Sequence, residues 1–438
     1  MDENLNKPAF SAARKELIAA LLSYLAAYIY VAAPFGGELE LWLLVFTAIY
    51  FALVEYLCAS RRQVWESWIW LGCMLSAVCS YVFSPCEVWG KSATFIFANI
   101  FAVWWTMSRA GVLLDGESGH FLPFDALSGF VLLPFGNFFL RVRTLWHFAS
   151  RPRREGKKLN TSALVGSIIA VLLALLLLLS ALEHLSGADA GFGTLVGNIT
   201  GFFTNNVNLV NFFFKLLVSL PVGAYIFGLI SGSMRLSLER ITERRGFFES
   251  LLGQLRIVPA RVWSICLAVF FVMQGGYIFG AFSRTLPEGM TVAQYARQGF
   301  FELCRVMALN FVLLWLVTWM SAQPVRERRL SLALCLALLA ESILFAVVAL
   351  SKLALYIDCF GLTPLRVQST WLVCVLLFGS ACALYTHLTG RKSMRIWMIF
   401  GAVTLALLLT GVCGFLILEG NNPETFGGFT PLQKLQAA

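Results

Sequence analysis

Residues 331–350 read SLALCLALLAESILFAVVAL, twenty positions in which Glu341 is the one charged side chain. Coiled as a helix, such a run closes its own backbone hydrogen bonds and covers about 30 Å, the thickness of bilayer hydrocarbon. Working outward from it, ten further stretches of the same character appear, at about 17–33, 41–59, 67–83, 92–107, 161–183, 213–233, 262–282, 299–321, 370–388 and 394–418. The chain of 438 residues is 59% hydrophobic and 13% charged, against soluble averages of about 45–50% and about 25%. It therefore reads as an all-α integral membrane protein with about eleven transmembrane helices.

The basic residues set an orientation. They gather at Lys7, Arg14 and Lys15, at Arg61 and Arg62, in eight positions from Arg109 to Lys158 and in six from Arg235 to Arg261. Two last groups are Arg326, Arg328 and Arg329, then Arg391, Lys392 and Arg395, so that alternate connectors hold 25 of the 33 Lys and Arg. Retention of cations in the cytosol places the N-terminus inside and, after an odd number of crossings, the C-terminus outside. The net charge of +9 follows from this asymmetry and gives no reason to invoke nucleic acid. Two apolar segments are read as interfacial rather than crossing. One, near 121–140, holds Pro123, Asp125, Pro134 and Asn137 between flanking arginines, and a single passage would invert everything downstream. The other, near 191–211, carries five Asn and no basic residue. The organisation is a four-helix N-terminal block (1–107), a basic connector (108–160) and a seven-helix C-terminal block (161–438). The first apolar stretch has full span length and no A-x-A-like exit, which predicts that it stays in the mature protein.

Chemistry-bearing motifs are sparse. No cofactor loop or catalytic triad stands at a diagnostic spacing, so no cofactor is implied. The Cys lie mostly inside spans without a CxxC, and the four His are scattered singly, which leaves a metal site without support. The spacing Gly228-x-x-x-Gly232 lets helices approach closely. Arg151, Arg153, Arg154, Lys157 and Lys158 are dense enough to hold anionic lipid, although topology alone predicts such a cluster.

Polar residues inside the apolar runs are more informative. Thr291 and Gln294 form a T-x-x-Q capping box, which predicts a helix that starts before the membrane and runs on into it. From that start Thr291, Tyr295, Gln298, Glu302 and Arg305 recur at helical steps and share one face. Arg305 needs a partner at such depth, and Glu302 or Glu341 can supply it. An ionised Glu341 at mid-span costs about 2.5–3.5 kcal/mol on insertion scales, so it is protonated or paired. That fits a proton or ion coupling site and fits a structural hydrogen bond equally. Lys352 returns to nearly the same face, and Asp358 and Arg366 follow it. Between these two, Thr363 and Pro364 read as the cap and first position of the next helix.

The elements Tyr295-Ala296-Arg297-Gln298-Gly299-Phe300-Phe301-Glu302-Leu303 and Gly361-Leu362-Thr363-Pro364-Leu365-Arg366 resemble bacterial multi-pass membrane proteins of the domain-of-unknown-function families 4153 and 4173. The resemblance covers roughly the C-terminal half. It implies a bacterial inner-membrane location and a shared site at these residues, and it brings no activity with it.

Three functions fit, in this order. The first is a permease-like carrier in which Tyr295, Gln298, Glu302, Arg305, Glu341, Lys352, Asp358 and Arg366 line a route for a small molecule or ion from the outer side. The second is a non-enzymatic membrane regulator or assembly partner that uses the basic segments 108–160 and 234–261 to contact a membrane protein or lipid. The third is a lipid-linked glycosyl or envelope-lipid enzyme with Glu38, Glu40 or Asp358 as base.

Overall fold

The computed structural model describes residues 11–32, 39–83, 90–149, 207–282 and 292–410, and the side chains among them except those of 39–40, 207–211, 275–282, 292–299, 355, 359 and 360. The span expected at 161–183, the basic cluster Arg151 to Lys158, most of the segment at 191–211, the cap residue Thr291 and the acid Glu38 lie outside the described residues. So do the side chains of Glu40, Tyr295 and Gln298.

The described residues are helical, apart from connections and one isolated bridge between Val258 and Ser321. In chain order the helices are α1 (Arg14–Ala32), α2 (Leu39–Cys58), α3 (Trp65–Phe83), α4 (Gly90–Ala110), α5 (Leu122–Leu127), α6 (Leu133–Gly136), α7 (Leu140–Ala149), α8 (Val207–Arg235), α9 (Leu238–Leu255), α10 (Ala260–Phe282), α11 (Val292–Met320), α12 (Arg329–Phe360), α13 (Pro364–Thr389) and α14 (Met394–Leu409). Among the described residues, eight helical segments are long and apolar enough to cross a membrane. Seven of them fall on expected spans. The eighth, Leu122–Ala149, contains the segment read as interfacial. It is helical but broken, by a π-turn at Ser128–Leu132 and by a non-helical step between α6 and α7. Pro134 and Asn137 lie at those interruptions, where the freed backbone groups need partners. The expected span at 92–107 lies in α4, which is helical but not among the eight, and those at 262–282 and 394–418 are represented by the shorter apolar helices Ala260–Gln274 and Met394–Leu409.

By contact the chain divides into two compact units, one of Met1–Leu57 with Pro134–Gly232 and one of Cys58–Leu133 with Ser233–Ala438. In the first, α7 lies against α1. The buried Arg141 donates from Nε to the carbonyl of Ala20 (3.1 Å) and covers the ring of Tyr24 at 4.8 Å. Gly228 fills the close-approach role expected of it, since a Cβ there would stand 2.6 Å from the carbonyl oxygen of Pro134.

In the second unit α3 packs on α4 and on α14, where Ser76 donates to the carbonyl of Ala406 (2.8 Å). α14 packs in turn on α13, through Trp371 Nε1 on Thr404 and Trp397 Nε1 on the carbonyl of Val375, both at 2.9 Å. α10 to α13 enclose two apolar clusters. One is built on Leu303, Met307, Phe345 and Val373, the other on Leu267, Val317, Leu338 and Leu339. As the sequence predicts, α11 is one continuous helix of 29 residues. Gly361, at φ 76, ends α12, and Thr363 and Pro364 stand at the cap and first position of α13.

Candidate functional site

Three consecutive apolar helices each carry a buried amide or hydroxyl near mid-length. The Nε2 of Gln274 on α10 donates to Asn310 Oδ1 on α11 (2.7 Å), and Asn310 Nδ2 donates back to Gln274 Oε1 (3.0 Å) and on to Ser342 Oγ of α12 (2.9 Å). The Ser342 hydroxyl donates to the carbonyl of Leu338 (2.9 Å). Ten residues earlier on α10, Ser264 shares a hydrogen bond with Ser331 of α12 (2.9 Å). The links follow the same order along both helices, so α10 and α12, which pack on each other, run parallel, and α11 runs in the opposite sense. Hydroxyls and amides with no water at hand find each other across helices, and such links are worth about 0.6–2 kcal/mol each.

Glu341 adjoins this closed network without entering it. It is 4% exposed, and neither of its carboxyl oxygens has a hydrogen-bond partner among the described residues. Its neighbours on the same face of α12, Leu338 at i−3 and Phe345 at i+4, belong to the two apolar clusters. The acid thus sits where both clusters offer only hydrocarbon. A carboxyl so placed is held protonated or waits for a cation.

The other residues expected on a polar route divide. Glu302 and Lys352 are half-buried and their charges act on each other. Arg305 is exposed and has no ion pair among the described residues. It lies only five residues inside the segment Phe300–Met320, within snorkelling reach of a membrane surface. Arg366 is half-buried, donates to the carbonyl of Gly361 and covers the ring of Tyr356 at 4.3 Å, so its cation is held locally at the turn into α13. Asp358 is exposed.

A second polar cluster, around the loop 111–121, was not singled out by sequence. Glu66, at the first turn of α3, is fully buried. Its Oε1 accepts from Trp70 Nε1 (2.8 Å) and the Ser118 N–H (3.2 Å), and its Oε2 pairs with Arg395 Nε (3.2 Å). Arg395 also pairs with Glu117, and the Ser118 hydroxyl accepts from Trp104 Nε1 (2.8 Å). Asp115 faces Arg245 (3.2 Å) and Lys392 (3.8 Å). Arg61 donates to three carbonyls, those of Ala110, Met234 and Leu236. Left-handed glycines at Gly111 and Gly116 permit the turns. His120 lies edge-on to Phe121 and Trp319. Burial, then Lys392 and Arg256, lower its pKa below the ordinary imidazole value, against an opposing pull from Asp115. Every carboxylate named here, Glu66, Asp115 and Glu117, has a cationic partner, so the cluster is a fastening for the ends of α3, α4, α9 and α14.

The family described as a domain of unknown function, DUF4153, matches residues 71–420. The chain belongs to that family. No curated protein and no solved structure matches it. The DUF4153 match reaches well beyond the C-terminal half, where the resemblance was read, and takes in most of α3 and all of α4. Gln274, Asn310, Glu341 and Ser342 lie inside it, as does the loop 111–121, while Glu66 lies just before it.

Proposed function

We propose that this DUF4153 protein is a permease-like carrier of a bacterial inner membrane, with Glu341 as the group that takes up and gives back a proton at mid-membrane. Eleven crossings with the N-terminus inside and the C-terminus outside are part of the reading, as is an interfacial placement of the interrupted segment around 121–140. The observation that carries it is the carboxyl of Glu341, unpartnered among the described residues, beside the closed network of Gln274, Asn310 and Ser342. A structural acid would have been drawn into that network, whose amides lie on the neighbouring helices. An acid kept out of it exchanges its proton without dismantling the packing. Glu302, nearer the start of α11, and Lys352, further along α12, form the outer part of the route, with Arg305, Asp358 and Arg366 at its mouth and Tyr295 and Gln298 on the same helical register.

The test is proton movement in proteoliposomes of the full chain carrying a trapped pH-sensitive dye. Wild type dissipates an imposed pH gradient, alone or with a co-substrate, and Glu341→Gln lowers that rate at least about tenfold, the effect of removing a group whose ionisation the step requires. Equal rates in the two proteins at matched insertion would reduce Glu341 to a packing residue.

A further inference from the structure

The helix α9 presents a face that no other part of the described chain covers. Its residues fall into three sectors at 100° per residue. Ile241, Phe248 and Leu252 are buried, and Phe248 and Leu252 join the aromatic cluster of Phe121 and Trp319. Glu239, Glu243 and Glu249 share a second sector with Thr242, Ser250 and Gln254, and all of these are exposed. The third sector carries Phe247, 62% exposed, with Leu251 and Leu255, also exposed. Arg240 and Arg244 stand on that same sector, one turn apart. Their cations repel each other, and neither has an ion pair among the described residues.

A strip of exposed hydrocarbon with two unneutralised guanidiniums beside it matches the boundary between acyl chains and anionic headgroups. The placement of α9 agrees. It starts three residues after α8 ends and stops five residues before α10 begins, so both its ends adjoin apolar helices in the chain. Beyond Leu255 the exposed apolar residues run on through Ile257 into Val262 and Ile265 of α10. We propose that α9 is an in-plane helix of the leaflet at which α8 ends and α10 begins, with Phe247, Leu251 and Leu255 in the acyl boundary and Arg240 and Arg244 on anionic phospholipid headgroups. This assignment does not depend on Glu341 or on transport.

Photocrosslinking tests it in the full chain, reconstituted in phosphatidylcholine nanodiscs with and without phosphatidylglycerol. A p-benzoylphenylalanine at position 247 gives a phospholipid adduct, and one at position 242, on the opposite side of the helix, gives none. Mass spectrometry of the purified protein shows co-retained phosphatidylglycerol, and Arg240→Gln with Arg244→Gln lowers its enrichment by about fivefold per cation removed. Arg240→Lys with Arg244→Lys keeps most of it, which separates loss of charge from loss of fold. A protein adduct at 247, equal lipid adducts at 242 and 247, or unchanged enrichment in the Gln pair would each overturn the assignment.

Discussion

Glu66 and Glu341 are buried to the same degree in the same unit of the molecule and live in opposite circumstances. Glu66 is met by Trp70, Ser118 and Arg395, and the chain around it is bent to bring them there. Glu341 has hydrocarbon above and below it, and the amides of the adjoining network bond to each other instead. Burial alone therefore says little about an acid's role. The donors around it decide whether it is a fastening or a group free to change its protonation.

Removing a donor breaks the comparison most severely at Glu66. Arg395→Gln leaves a fully buried carboxylate without its cation, which costs about 3–5 kcal/mol. It should appear as a large fall in the melting temperature of the detergent-purified protein, followed by size-exclusion chromatography after heating. A variant that melts with wild type would show that Glu66 is already neutral or solvated, and the contrast with Glu341 would vanish.

The same kind of change at Glu341 has the opposite sign. Glu341→Leu removes an unsatisfied polar group from an apolar setting and stabilises the fold by about 1–3 kcal/mol, while proton movement is lost. Gain of stability with loss of activity is the signature of a functional acid retained at a cost. Loss of both would mean that Glu341 has a structural partner after all. A smaller effect sharpens the boundary between the acid and its neighbours. Gln274→Leu and Asn310→Leu, separately and together, should give a coupling energy of about 0.6–1.7 kcal/mol, the range for hydrogen bonds between membrane helices. Glu341→Leu should add to either one without coupling.

The helices were legible because the hydrocarbon requirement is written in plain length and composition, as in 331–350, and because Gly361, Thr363 and Pro364 mark a boundary chemically. Glu341 was legible for the same reason, as a charge where none is tolerated cheaply. That it has no hydrogen-bond partner among the described residues was not, since the sequence offered Arg305 and only the fold turns Arg305 outward. Gln274, Asn310 and Ser342 carry a faint signal, one polar residue near the middle of each of three successive helices, and neutral side chains do not stand out as a charge does. The loop 111–121 was hidden for a different reason. Glu66, Ser118, Arg245 and Arg395 come from four distant stretches, and no local pattern announces that they meet. The break within Leu122–Ala149 was visible in Pro123, Pro134 and Asn137, although its helical content was not.

The smallest expected effect tests whether the loop 111–121 titrates as one fastened piece. His120 has a folded pKa held below its ordinary value of 6.5, first by burial and then by Lys392 and Arg256. As pH falls through 6.5 the unfolded chain takes up this proton before the folded chain does, so stability declines with falling pH and levels off once the folded imidazole is itself protonated. Above 6.5 both states are neutral and the residue contributes no slope. His120→Gln should therefore flatten the melting temperature between pH 7.5 and the onset of carboxylate titration at about pH 5. Its constant loss of contact with Trp319 shifts the level at every pH and leaves the slope as the readout. If the variant keeps the wild-type slope, His120 is accessible to protons in the folded state and the loop is looser than the pairing of Glu66 with Arg395 implies. A flattened slope in a variant whose proton movement is unchanged would locate this pH response in the fastening, apart from the acid at mid-membrane.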